Sequence, residues 1–499
     1  MHRQPPGTTP SCLNVRAFDP RAGRYRGGQR AGLTKYISDT ATAINGTNPI
    51  QDMNFLVTAS DSTGRTITRL AVSGGSVYTF TTLAAGKVLT TGGGSALVTT
   101  VFAVQSADAF GTMYYVDGTN YKSFTGSTTS TWTSSNGGTL PSSGGTARLI
   151  CLWRGRIVLS GVAGDAHNWF MSAIEDPLDF NYSPATPTEG DAVAGNNSNA
   201  GKIGDRVTAL IPFSDEILLV GGDHSIWQIN GDPLAGGRAD LVSDTTGMAF
   251  GRAWAKDAAG MIYFWGGRGG VYRMAPSGQP ELISTALLDR FRSVNTANKR
   301  IQMAWSVPEN GLHVFISPST AVATTHYFWD AAGNSWWPDS FDTTDHDPTS
   351  ICVFDGDDPD DRAILLGCRD SYIRTWDLDA SDDDDKPIES SVYIGPIRAG
   401  DRMSECVLHE LQAVLADTSG DVVYSVYKGE TVEAAYLAAT PVFQGVWSAG
   451  KSHSERRRAR GEALWLKISN DRKDVTWALE SLAARIAAVG RSGQRSLGR

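Results

Sequence analysis

The chain has 499 residues, 41% hydrophobic and 19% charged, with a formal charge of −9 from 53 acidic and 44 basic side chains. A single hydrophobic core stops growing at roughly 250–300 residues, so this length calls for several domains or one core repeated around an axis. The balance describes a soluble folded protein and does not call for the basic face by which proteins usually grip nucleic acid.

The start, Met1 to Ser11, is polar and lacks an apolar signal core. No run approaches the roughly 20 apolar residues of a membrane helix. A chain neither exported by a signal peptide nor embedded in a membrane is expected. Cys12, Cys151, Cys352, Cys368 and Cys406 are an odd, widely spaced set without a C-x-x-C pair. They suit reduced thiols and suggest neither a disulfide framework nor a zinc site.

Glycine is abundant at 54 residues, and Ser, Thr, Asn and Asp crowd between short apolar runs, as in many strands joined by tight turns. From about residue 65 one unit recurs: an apolar strand, a turn, and a second strand carrying aromatics. It is seen at Thr66 to Phe80, Met113 to Phe124, Arg156 to Phe170 and Glu216 to Ile229. Met261 to Met274, Leu312 to Asp330 and Ala363 to Asp377 continue it. The spacing of roughly 40–55 residues is that of four-stranded propeller blades. A hairpin cannot bury both faces, but blades stacked around an axis bury each sheet against the next. The predicted fold is all-β: a β-propeller of six or seven blades followed by a small β-sandwich. Two β-sandwiches with unrelated hairpins are the less favoured alternative.

Ser183 to Lys202, rich in Gly, Asn, Ala and Pro, is predicted as a loop. Ser284 to Asn298 carries Leu287, Leu288, Phe291 and Val294 at helical spacing, with Ser284 as the N-cap of one inter-blade helix. Asp377 to Lys386 reads as a linker. Val422 to Tyr427, Ala463 to Ile468 and Val475 to Leu479 are strand-like and give the final domain. The predicted division is 1–50, an N-terminal arm and first strands; 51–380, the propeller; and 381–499, the C-terminal domain with a flexible tail.

Chemistry-bearing motifs are weak. Asp330 to Trp336 approximates the Asp-box of sialidase propellers with one inserted residue, and that box is a structural turn. Trp336-Trp337-Pro338 is expected in a blade core. Trp376-Asp377 is unrepeated and lacks the Gly-His partner of WD40 blades. Asp355, Asp357, Asp358, Asp360 and Asp361 are dense, but the EF-hand Gly and Glu positions hold Asp360 and Leu366, which favours a solvated turn over calcium. Gly266 to Gly270 fits neither nucleotide pattern and reads as a hairpin turn. No G-x-S-x-G elbow and no H-x-x-x-H pair occurs. No catalytic residue, cofactor or metal is expected. Two arginine clusters remain: Arg16, Arg21, Arg24, Arg26 and Arg30, with Lys35, near the start, and Arg456, Arg457, Arg458 and Arg460 near the end. Only Tyr25 interleaves them, so subunit contacts, where Arg is enriched, are preferred to nucleic acid.

Several segments resemble one family. These are Asn14 to Pro20 with Arg26 to Leu33; Trp169 to Phe180, in which Ser172-Ala173 precedes Asp176-Pro177-Leu178-Asp179-Phe180; Ser225 to Pro233; and Gly269 to Met274. Their order is similar to that of the tail nozzle proteins of short-tailed bacteriophages, often called tail tubular protein B. The likeness runs from about residue 14 to 490 through short motifs of moderate specificity. It implies a non-enzymatic virion protein, assembled in the host cytoplasm into a homo-oligomeric ring, usually a hexamer, of the viral tail. An adaptor protein above it and a tail fibre or needle protein below would be its partners. The genome would leave through the lumen without specific binding, which an acidic wall would favour. The rivals are a propeller glycosidase or depolymerase acting on the host envelope, and a monomeric propeller scaffold.

Overall fold

The computed structural model describes residues 9–18, 27–37, 43–60, 64–90, 96–275, 278–356, 362–399, 404–452 and 458–491. They divide into two units, one of Lys35–His326 with Asp342–Trp376, the other of Met1–Thr34 with Tyr327–Phe341 and Asp377–Arg499. The regular structure of each is nearly all strand.

In the first unit the recurrent hairpins become the middle of successive sheets whose strands mostly run in sequence order, and the second sheet also takes Leu89–Thr90 at its outer edge, parallel to Thr128–Thr131. The opening sheet is Ile50–Ser60, Gly64–Ser73, Ser76–Phe80 and Ala85–Lys87. Four more follow, and their first strands are Gln105–Ala109, Leu149–Trp153, Val207–Pro212 and Trp254–Lys256. The sixth contributes the hairpin Lys299–Ser306 and Gly311–Pro318. The seventh contributes Pro348–Asp355, Arg362–Cys368 and Ile373–Asp377. First strands pack on first strands, and Pro348–Asp355 returns to Ile50–Ser60; between the fourth and fifth blades Ala209 and Ile211 pack with Ile262 and Phe264, so the circle closes.

Faces between blades are apolar. Val158 and Trp169 of the third blade pack with Leu218 and Ile229 of the fourth. At the seam, Ile50 and Met53 of the first blade pack with Phe354 and Leu365 of the seventh. There the Thr349 hydroxyl donates to the Ile50 carbonyl at 2.7 Å, and the Gly367 backbone lies so close that a Cβ would meet Ile50 Cγ2 at 2.6 Å. Burying every blade face leaves few open edges. The unit is a β-propeller of seven blades.

The second unit is a β-sandwich. One sheet runs Cys12–Leu13, Ser390–Ile397, Ala463–Asn470, Val422–Gly429, Phe443–Trp447. The other runs Val15–Arg16, Gly27–Gln29, Ala478–Arg491, Ser404–Leu415, Gly450–Lys451. Leu408 and Leu411 of one face Tyr424, Leu464 and Ile468 of the other, and Tyr424 stacks on Trp447 at 4.3 Å. The unit is therefore discontinuous in sequence, because N-terminal strands complete both sheets. Trp337, on the strand Ser335–Asp339, packs against this sandwich core.

Three expectations change. The helix shrinks to a 3-10 turn, Thr285–Leu287, and one α-turn, Leu288–Arg292. The Ser284 hydroxyl does not cap it, because it accepts from the Val271 N–H at 2.8 Å. Phe291 supplies the anchor, packed on Trp265 at 4.9 Å. Within Ser183–Lys202, Val193–Ala194 is the outer strand of the third blade, paired with Phe170 and Met171 and buried. The Asp377–Lys386 stretch is no free linker: the Leu33 N–H donates to the Asp382 carbonyl at 3.0 Å, and Asp383 is buried. Gly266 to Gly270 does form the expected turn, closed by the Gly266 N–H on the Gly270 carbonyl at 2.9 Å.

Candidate functional site: the propeller axis

The seven first strands leave a space on the axis. About 660 Å³ in volume, it is lined by residues of all seven, from Asn54 to Val353. The first strands of the first, second and sixth blades carry polar side chains here, and several of these join with Arg252 in one network. Asp52 is buried and accepts from the Ser106 hydroxyl. Ser106 Oγ in turn accepts from Asn54 Nδ2 at 3.1 Å. Two guanidiniums face the same carboxylate. Arg300 Nη2 stands 3.9 Å from Asp52 Oδ1, and its Nη1 donates to the Gln51 carbonyl at 2.6 Å. Arg252, from the segment entering the fifth blade, lies 3.5 Å from Asp52 Oδ1 and donates to the Ser106 carbonyl. This charged cluster ties the first, second, fifth and sixth blades together.

Burial pulls Arg300 down to about 10, opposed by Asp52 and reinforced by Arg252. It remains a cation at neutral pH. Cys151 and Cys352 line the same space, and burial pushes both thiols up to about 12, so neither is a thiolate at neutral pH. Burial raises the Asp108 carboxyl as well. Among the described residues no three His, Cys, Asp or Glu converge as a metal would require, and no helix is long and apolar enough to cross a membrane. The cluster can hold a polar or anionic group. Nothing in the sequence singled it out, since Asp52 and Arg252 stand 200 positions apart.

Two of the segments that carried the family resemblance meet at one buried residue, Arg156. Arg156 is fully buried and donates to Asp232 at 3.1 Å, to the Ser172 carbonyl at 2.8 Å and to the Glu189 carbonyl at 2.9 Å. Ser172 belongs to the Trp169–Phe180 segment and Asp232 to Ser225–Pro233. Within the former, the Ala173 N–H donates to the Asp179 carbonyl at 2.9 Å, and Trp132 Nε1 donates to the Pro177 carbonyl at 3.2 Å. Asp-Pro-Leu-Asp-Phe is thus a fastened turn.

The arginine clusters scatter. Arg16 and Arg30 are buried in the sandwich unit: Arg16 grips Asp339 bidentately at 2.8 and 2.7 Å, and Arg30 grips Asp383 at 2.9 and 2.6 Å. Side chains so enclosed offer no surface to a neighbouring subunit, which corrects the expectation for these two. Arg458 and Arg460 are exposed, and Arg460 pairs with Glu405. Arg21, Arg24, Arg26, Arg456 and Arg457 lie outside the described residues, as do Asp357, Asp358, Asp360 and Asp361. Asp330 accepts from the Ala332 N–H at 3.0 Å in a hairpin turn, and Trp376 packs edge-on to His313 at 4.6 Å.

Axial closure by seven sheets defines a β-propeller protein. The chain is similar to virginiamycin B lyase from Staphylococcus aureus at 11% identity and a TM-score of 0.43, over 69% of this chain and 98% of that one. The N-terminal domain of BBS1, solved with ARL6, matches at 10% identity and 0.42, over 70% and 99%. The extracellular domain of the one-component system protein BT4673 from B. thetaiotaomicron matches at 10% and 0.43, over 96% of this chain and 63% of that one. No family model matches, and no curated protein matches in sequence. At such identities the likeness concerns the fold alone.

Proposed function

We propose that this chain is a structural subunit of a bacteriophage tail, whose copies form the nozzle ring through which the genome leaves. The observation that carries the ring is a long exposed strand in the sandwich unit. Ala478–Arg491 pairs along one side with Ser404–Leu415, and its first two residues, Ala478 and Leu479, pair with Gly28 and Gly27. Beyond them the strand is proline-free and mostly exposed, with Ile486 and Val489 at 38% and 39%. An exposed strand face bearing apolar side chains is a surface that a neighbouring copy can cover. A head-to-tail contact through that face gives a closed ring where its rotation closes.

The ordered nozzle-like segments support the viral assignment, since they build the third, fourth and fifth blades and the first sandwich strands rather than a chemical site. The axial space supports a passage among copies: about 660 Å³ suits a small molecule and is far too small for a duplex. The test is light scattering after size exclusion, with electron microscopy of the same fraction. Wild type should give rings, and Ile486→Lys with Val489→Lys should give folded monomers. Wild-type monomers that release sugar from host envelope would instead support a depolymerase.

A further inference from the structure

We infer that the axial cavity of the propeller is a binding site for a small aromatic carboxylate bearing an N–H or O–H donor. Three features of the cavity select this chemistry, and none depends on ring formation.

The first is charge-assisted hydrogen bonding. Two guanidiniums, Arg252 and Arg300, face Asp52. The wall also carries Asp108, and Lys256 beside Asp257, whose carboxylate accepts from the Ala259 and Met261 N–H groups. Arg300 is sealed in, but Arg252 lines the cavity with 30% of its side chain exposed. Only two of its five N–H groups are directed at Asp52 and the Ser106 carbonyl. A ligand carboxylate would take the remaining Arg252 donors.

The second is an orphan acceptor. Gln302 lines the same cavity and is 3% exposed, and its Oε1 has no hydrogen-bond partner. Buried polar atoms in folded proteins are normally satisfied. A ligand N–H or O–H would satisfy this one.

The third is the wall. Leu152, Leu210, Trp254, Trp305 and Ile351 contribute apolar surface between these polar points. A flat ring system fits such a wall, and the volume of about 660 Å³ lies in the range of small-molecule sites.

Indole-3-acetate is the probe, because it combines an aromatic ring, one N–H and one carboxylate. Calorimetric titration of the full chain should show saturable binding at one site per chain. Indole, without the carboxylate, and 1-methylindole-3-acetate, without the N–H, should each bind about tenfold more weakly. Arg252→Met should match the loss seen with indole. Gln302→Leu should weaken the acid several-fold while its melting temperature stays level or rises, since it removes an unpaired buried acceptor. No saturable heat at millimolar probe would overturn the inference. Indole binding as tightly as the acid would overturn it, as would unchanged affinity in Gln302→Leu. If Arg252→Met fails to fold, the comparison of ligands on wild type still decides.

Discussion

Arg156 shows how much of this molecule rests on single buried ions. Its guanidinium is taken out of water and repaid by Asp232 and by carbonyls from segments on both sides. Burial lowers its pKa and Asp232 opposes that shift. Arg156→Leu strands the Asp232 carboxylate and should cost about 3–5 kcal/mol, read as a lower urea midpoint at unchanged slope. An unchanged midpoint would mean that Asp232 finds solvent or another donor. The same physics explains what was hidden at this scale. An isolated Arg or Asp in a strand reads as a surface residue, so Asp52, Arg252, Arg300 and Arg156 gave no signal. Arg16 and Arg30 gave a misleading one: they cluster in sequence, yet each goes to its own buried carboxylate.

At the scale of elements, the seam of the wheel and the Asp-rich stretch make opposite predictions. Gly367 leaves no room for a methyl group beside Ile50. Gly367→Ala should therefore overpack the junction of the first and seventh blades and cost about 1–3 kcal/mol, seen as a lower melting temperature. In the sandwich unit, burial and the neighbouring Asp474 push Asp382 up to about 6 from an ordinary 3.8. A carboxyl raised on folding stabilises below about 3.8, and that contribution is lost as pH rises through about 6. Asp382→Asn should be the more stable protein at pH 7, with its advantage over wild type shrinking towards pH 4. An advantage independent of pH would contradict the assigned cause.

The middle hairpins of the blades were legible because each strand is a continuous apolar run, such as Ile-Val-Leu or Ile-Leu-Leu-Val, bounded by turn residues. First strands such as Gln105-Ser-Ala-Asp-Ala were not, because one side borders the axial space and stays polar. Outer strands such as Val193–Ala194 and Glu281–Leu282 are two residues long. No periodicity can mark them. The pairing of Cys12 with Val392 was equally invisible, since it joins opposite ends of the chain.

For the whole molecule, the seven-bladed wheel supplies rigidity and the sandwich supplies a long exposed strand. A net charge of −9 favours a wall that does not hold DNA. Purified protein should therefore fail to retard a duplex in a gel at physiological salt, and tight, salt-sensitive retardation would mean a basic lumen. The most direct test is the particle itself. Electron micrographs of the concentrated protein, alone and with the adaptor of its tail, should show closed rings around a passage at least as wide as the roughly 20 Å of a DNA duplex. Solitary molecules in both samples would contradict the nozzle.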